Sequence, residues 1–267
     1  MSQTGIERIA AAFAATEGRA AVMPYLMGGF PDVESSVAIG EACIEAGASL
    51  LELGVPFSDP LADGPVIHAA ATRALASGIS VADVLGVAAR LADRIPVIVM
   101  AYANTVITPG AERFCERLVD AGVAGLIVPD LPHEESAELA SAAARHGLAL
   151  VPLVAPTTTP ERLAAIGADA RGFVYVVSVT GTTGERAGNM AGVGQLLERA
   201  KASTTVPVAL GFGISGPEQA LAAAAAGADG VIVGSRLVRA AGEAGDAPAE
   251  VGRLVREITD ALSAAVA

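Results

Sequence analysis

Eight short runs of Val, Ile, Leu and Ala, bounded by Gly or Pro, punctuate this chain: 21–27, 50–55, 97–102, 125–128, 149–154, 173–179, 208–211 and 230–233. Between them lie segments with apolar positions at helical spacing, among them 35–46, 81–93, 111–121, 134–146, 217–226 and 250–262. Apolar runs without alternation read as strands buried on both faces, the condition of a parallel sheet covered by helices. Three tetrads repeat one junction: Glu45-Ala46-Gly47-Ala48, Asp120-Ala121-Gly122-Val123 and Ala225-Ala226-Gly227-Ala228. In each, Gly stands where a helix ends in the left-handed conformation before the next strand. Eight strand–helix units with no Pro/Ser-rich or charged boundary predict one α/β domain, a (β/α)8 TIM barrel over residues 1–267. An open, doubly wound sheet is the rival arrangement. An extra amphipathic segment, 6–15, precedes the first strand and is expected to plug the bottom of the barrel.

Composition narrows the chemistry. Hydrophobic residues make up 52% of the 267 positions but aromatics only 3%, with no Trp, so the core is aliphatic. A net charge of −12 argues against nucleic acid and anionic membranes as partners. The Ala-rich stretches are too interrupted by charge and Gly to span a bilayer. Lys201 is the only lysine, which excludes a lysine imine at a strand end. An anionic substrate must then be held by backbone N–H groups, helix N-termini or Arg. Cys43 and Cys115 fall in helical segments and read as reduced, buried thiols, and no secretory leader is evident, so a cytoplasmic location is expected.

Candidate chemistry gathers at the C-terminal ends of the strands, where such barrels carry their sites. Glu52 sits inside the apolar run 50–55, and Asp59 and Asp63 follow in a Gly/Pro-rich loop. A carboxylate in a buried strand is costly unless paired or used, so Glu52 is either a satisfied structural residue or a working acid/base. Asp63, followed by Gly64, also fits an ordinary turn. Tyr175 shares a strand face with Phe173 and Val177 and reads equally as core or catalytic. Gly211-Phe212-Gly213-Ile214-Ser215 and Gly234-Ser235 end adjacent strands and precede helices starting near Pro217 and Ser235. That arrangement suits a phosphate, since Gly admits close approach and helix N-termini aim N–H groups at an anion; tight turns are the plainer reading. The Gly/Thr-rich stretch 180–188 reads as a lid. His68, His133 and His146 are too few and scattered for a zinc site, and no metal is expected.

Together these motifs resemble the family of bacterial tryptophan synthase α subunits. The resemblance runs through Pro24-Tyr25-Leu26, Gly29-Phe30-Pro31-Asp32, the block from Glu52 to Pro65, and Pro129-Asp130-Leu131-Pro132. It continues through Tyr175-Val176-Val177-Ser178, Thr182-Thr183-Gly184 and Gly211-Phe212-Gly213-Ile214-Ser215, in order over almost the whole chain. It implies a lyase of tryptophan biosynthesis that cleaves indole-3-glycerol phosphate to indole and glyceraldehyde 3-phosphate without metal or lysine imine. By resemblance Glu52 is the general acid/base, Asp63 accepts the indole N–H, and Tyr175 is a site tyrosine near Glu52. Gly184, Phe212, Gly213, Gly234 and Ser235 match phosphate-binding positions, and Thr183 a lid residue. The resemblance also implies a β subunit as partner, in an αββα heterotetramer, with pyridoxal phosphate bound by that partner and no cofactor in this chain. Pro56, Asp59 and the segment 180–188 would carry the coupling.

Two departures stand out: Met27-Gly28-Gly29 after the first strand, and Tyr102-Ala103-Asn104-Thr105 after the third. Both are expected to line the indole pocket. A sugar-phosphate epimerase would need metal-binding His at several strand ends, which this chain lacks. A free-standing indole-releasing lyase would carry the same residues. A non-catalytic binding subunit, in contrast, would have no use for Glu52.

Overall fold

The structure, a computed structural model, describes residues 3–177, 190–211 and 213–266. Its first half comprises α1 (Gly5–Ala14), β1 (Ala21–Met27), α2 (Val33–Glu45), β2 (Leu51–Gly54), α3 (Pro65–Ala76) and α4 (Val81–Leu91). Next come β3 (Val97–Met100), α5 (Ala103–Ile107), α6 (Ala111–Asp120), β4 (Gly125–Ile127), a 3-10 turn at His133–Glu135 and α7 (Ala137–Arg145). The second half comprises β5 (Ala149–Leu150), β6 (Leu153–Val154), α8 (Pro160–Asp169), β7 (Val174–Val177), α9 (Met190–Ser203) and β8 (Val208–Gly211). It ends with α10 (Pro217–Ala225), β9 (Gly230–Val233), α11 (Ser235–Glu243) and α12 (Ala247–Ala264).

All strands pair in parallel, in the order β5-β4-β3-β2-β1-β9-β8-β7-β6. The outermost two, β5 and β6, are consecutive pieces of the single run 149–154, so the sheet curls into a ring and meets itself there. The Val151 N–H donates to the Leu126 carbonyl on one side, and the Pro152 carbonyl accepts from Tyr175 N–H on the other. Pro152, which has no N–H, interrupts the ladder and divides the expected strand in two. This is the (β/α)8 barrel read from the apolar runs, with α3, α5 and α8 added to the segments that periodicity picked out. Caps mark the starts of α3 and α8: Pro65 and Pro160 occupy first-turn positions, and the Thr159 hydroxyl accepts from Arg162 N–H.

The junction glycines behave as expected, with φ of 89° at Gly47, 69° at Gly122 and 98° at Gly227. At the N-terminal end of the strands, α1 closes the barrel. Ile9 and Phe13 are buried, and the Phe13 and Phe173 ring centroids lie 5.9 Å apart. Arg8 holds the plug in place by donating to the carbonyls of Gly122 (2.8 Å), Ile95 (3.2 Å) and Ala92. Helices α8 and α9 pack closely enough that a Cβ on Gly167 would lie 2.1 Å from the Ser203 carbonyl oxygen. Gly167→Ala is therefore expected to cost about 2–3 kcal/mol, because backbone must move to admit it. Urea unfolding of the variant checks this.

Candidate active site

Glu52 lies in the middle of β2, opposite Tyr25 of β1 in register. It is 0% exposed, and among the described residues neither carboxylate oxygen has a hydrogen-bond partner. The reading of Glu52 as a satisfied ion-pair residue is thereby set aside. Burial alone pushes its pKa up to about 8, so the side chain is a neutral acid at pH 7. The unfolded chain releases that proton near its ordinary value of 4.5 while the folded chain keeps it to about 8. Within this window the unfolded state binds fewer protons, so stability falls as pH rises, by about 1.4 kcal/mol per unit of pKa elevation. Glu52→Gln is expected to be as stable as the parent at pH 4 and more stable at pH 8, as chemical denaturation at both pH values would show.

Two tyrosines lie within electrostatic reach of this carboxyl. Tyr175 on β7 and Tyr25 on β1 are 6% and 5% exposed, and burial followed by the charge of neighbouring acids pushes both phenols well above their ordinary value. The negative field of Glu52 acts on both. Each hydroxyl rests over a glycine at the end of the next strand. A Cβ on Gly54 would sit 2.0 Å from Tyr25 Oη, and one on Gly211 would sit 2.2 Å from Tyr175 Oη. Tyr175 is thus a wall of the site as well as a core residue.

Asp63 is brought in by the loop after β2. The Tyr102 hydroxyl donates to Asp63 Oδ1 (3.0 Å) and accepts from the Ala62 N–H (3.1 Å). Its ring stacks on Phe57, with centroids 5.0 Å apart and planes inclined by 20°. One side chain from the end of β3 thereby grips the loop at two points. Burial raises the Asp63 pKa, while the Tyr102 hydrogen bond and the positive field of His68 act against that rise. The two carboxyls therefore stand in different surroundings: one wholly buried and unpartnered, the other half-buried and held by a donor.

Opposite them the cavity ends in glycines. Tyr25, Asp63, Tyr175, Gly213, Gly234 and Ser235 line one space of about 1790 Å³. Gly213 has φ 78° and nothing within 4 Å of the place a Cβ would occupy. Gly234 caps α11 without a side-chain bond, so the N-terminal end of α11, at Ser235 and Arg236, borders the cavity uncapped. Arg236, in that same turn, donates to the Ser215 carbonyl and braces the loop that carries Gly213. Thr183, Gly184 and Phe212, with the stretch 180–188, lie outside the described residues.

A profile of the family described as "Tryptophan synthase alpha chain" matches residues 12–266. The chain belongs to the tryptophan synthase alpha chain family. It is 51% identical over 249 residues to the tryptophan synthase alpha chain of Prochlorococcus marinus (strain MIT 9313), covering 92% of this chain and 90% of that one. Among solved structures it is similar to Mycobacterium tuberculosis tryptophan synthase, with TM-score 0.89 and 38% identity over 98% of this chain and 99% of that one. It is also similar to the tryptophan synthase a2b2 complex of Pyrococcus furiosus, with TM-score 0.82 and 34% identity over 91% and 98% of the two chains.

Several expectations shift in detail. The stretch Met27-Gly28-Gly29 is not part of the cavity wall. A Cβ on Gly28 would meet Val84 of α4 at 2.6 Å, and one on Gly29 would meet Ile79 at 2.7 Å, so the stretch backs onto the helical layer. Tyr102, at the other departure, acts through Asp63. Of the two coupling positions, Asp59 is exposed whereas Pro56 is buried beneath the loop. Leu61 and Ile107, 80% and 61% exposed, are apolar side chains near this end that the sequence pattern did not single out. His133 faces Asp169 at 3.5 Å, and His146 caps α7 while pairing with Glu112 at 2.9 Å. Among the described residues the one group with metal-ligand spacing is Glu112, Glu116 and His146 on the helical layer, the two carboxylates exposed and the imidazole half-buried. Arg145 also pairs with Glu112 there. Among the described residues no single helix is long and apolar enough to cross a membrane.

Proposed function

We propose that this chain, acting as a single domain over residues 1–267, is a carbon–carbon lyase that cleaves indole-3-glycerol phosphate to indole and glyceraldehyde 3-phosphate in tryptophan biosynthesis. The observation that carries the reading is Glu52: a buried, protonated, unpartnered carboxyl in register with Tyr25, which lines one cavity with the second carboxyl, Asp63, and a glycine-lined helix N-terminus. Glu52 donates its proton to indole C3, which places positive charge on the ring nitrogen. The ring N–H then donates to the Asp63 carboxylate, which stabilises that charge as it develops. The Glu52 carboxylate next takes the proton of the glycerol hydroxyl on the carbon attached to the ring. The C–C bond breaks, its electrons return to the indole ring, and the aldehyde leaves. Each proton that Glu52 gives it regains, so the cycle closes without metal or redox partner. Tyr175 borders the reacting atoms. Gly213, Gly234 and Ser235 hold the phosphate with backbone N–H groups and the α11 dipole, joined by Gly184 and Phe212, while Thr183 belongs to the lid.

The partner in this reading is a tryptophan synthase β subunit in an αββα assembly, which binds pyridoxal phosphate and receives the indole. The family membership and the a2b2 complex among its structural neighbours support it. Asp59, Leu61 and Ile107 offer an exposed, partly apolar rim for docking, with Pro56 stiffening the loop from below. The buried thiols, Cys43 pushed up to about 12 and Cys115 to about 11 by burial, suit a reducing cytoplasm. Incubation with indole-3-glycerol phosphate in chelator-treated buffer is expected to yield indole and glyceraldehyde 3-phosphate in equal amounts, faster when the β subunit is added. Absence of indole under both conditions would overturn the reading.

A further inference from the structure

Tyr25 is the titratable group of the site to which the mechanism gives no part, and its placement is specific. It stands in register with Glu52 across the β1–β2 ladder. The place for its hydroxyl is the notch left by the missing side chain of Gly54, where a Cβ would come within 2.0 Å of Oη and 2.7 Å of Cζ. On its other side the ring packs over Gly234, where a Cβ would meet Tyr25 Cβ and Cδ1 at 3.5 Å. The ring thus bridges the acid/base strand and the phosphate end of the cavity. Among the described residues its hydroxyl makes no hydrogen bond.

An unpartnered donor beside an unpartnered acid is complementary only after the acid has lost its proton. A neutral carboxyl in an apolar wall needs no donor, whereas the carboxylate that remains once the proton has gone to the indole ring needs one strongly. Resting on the retro-aldol reading above, we propose that Tyr25 is a positioning residue whose hydroxyl, seated in the Gly54 notch, receives the Glu52 carboxylate each time it gives up its proton. The hydroxyl keeps its own hydrogen throughout; only the Glu52 proton is transferred. Burial and the negative field of Asp63 and Glu52 keep the phenol protonated at every working pH. The other titratable groups acting on this pair are Tyr175 from β7, facing Glu52, and Tyr102 from the end of β3, facing Tyr25 and Asp63. His68 of α3 acts on Asp63. Glu52→Gln leaves these groups in place and removes only the acceptor.

The test is Tyr25→Phe in the full chain, which keeps ring and packing and deletes only the oxygen. Difference infrared spectroscopy of the buried carboxyl, with Glu52→Gln as the subtraction control, reads the Glu52 titration without substrate. The expected result is an upward shift of that titration by about one pH unit, the size of one hydrogen bond to a charged group. The alkaline limb of the indole-release profile moves in parallel, and kcat falls about tenfold with KM within about twofold. Gly54→Ala, which keeps the hydroxyl but fills its seat, is expected to shift the titration in the same direction. An unchanged titration in Tyr25→Phe, with circular dichroism and melting temperature intact, would overturn the proposal. Since the titration needs no substrate, its answer is separate from that of the lyase reading: absent indole release bears on the reaction, and an unmoved Glu52 bears on Tyr25.

Discussion

Replacing Glu52 by Gln is expected to lower the rate of indole release by about 10³-fold, within the range that general acid–base groups supply. Gln has nearly the same shape and also lacks partners in the apolar wall, so substrate still fits and KM changes little. What is lost is the proton: the amide cannot give one to indole C3, nor take one from the glycerol hydroxyl. The effect concentrates in this residue because, among the described residues, no titratable group near it can substitute. Tyr25 and Tyr175 are held far above neutrality and are too weak as acids, while Asp63 must stay ionised to serve the ring nitrogen. The same substitution is expected to stabilise the fold at pH 8, since it removes a buried carboxyl with an elevated pKa. A variant that is more stable and nearly inactive separates loss of chemistry from loss of structure. Paired measurements of kcat and of the denaturation midpoint read both.

Asp63→Asn carries the second large effect, a fall in kcat of about 10²-fold. Asn keeps the size of the side chain and its place under the Tyr102 hydroxyl, so the loop remains gripped through Ala62 and Phe57. It loses the negative charge that matters only as the indole nitrogen becomes positive. A group that acts in the transition state more than in the ground state lowers kcat and kcat/KM together. The acid limb of the pH profile should vanish as well, because Asp63 is the group that must lose a proton there. Its elevated pKa places that limb above the ordinary carboxylate range. Steady-state kinetics across pH on the variant, with KM held within a few-fold, checks both statements.

The barrel was legible because its strands are buried on both faces and therefore appear as uninterrupted apolar runs. Glu52 was legible for the same reason: a carboxylate in such a run contradicts its surroundings. The glycines at two adjacent strand ends followed by helix starts were legible as a candidate anion site, and the structure places Gly213, Gly234 and Ser235 in one cavity. The tyrosines were harder. An aromatic within an apolar strand looks like core, and Tyr25 differs from core only through Gly54, 29 positions away in sequence and adjacent across the ladder. The role of Tyr102 depends likewise on where a loop folds back, which residue type alone does not encode. The break at Pro152 had a visible signal, since proline cannot donate to a ladder, yet the apolar run around it masks the interruption. Met27-Gly28-Gly29 misled because a strand end faces the site on one side and the helical layer on the other, and only the register decides which.

Glu52 begins the catalytic cycle of this mechanism as a neutral acid, and the pH dependence of kcat/KM for indole release from indole-3-glycerol phosphate reads that protonation state. The expected profile is bell-shaped, with an alkaline limb that falls through a pKa of about 8, where Glu52 loses the proton it must give. A rate that stays level or keeps rising through pH 8 and beyond would contradict the mechanism, since Glu52 would then be working from its ionised form.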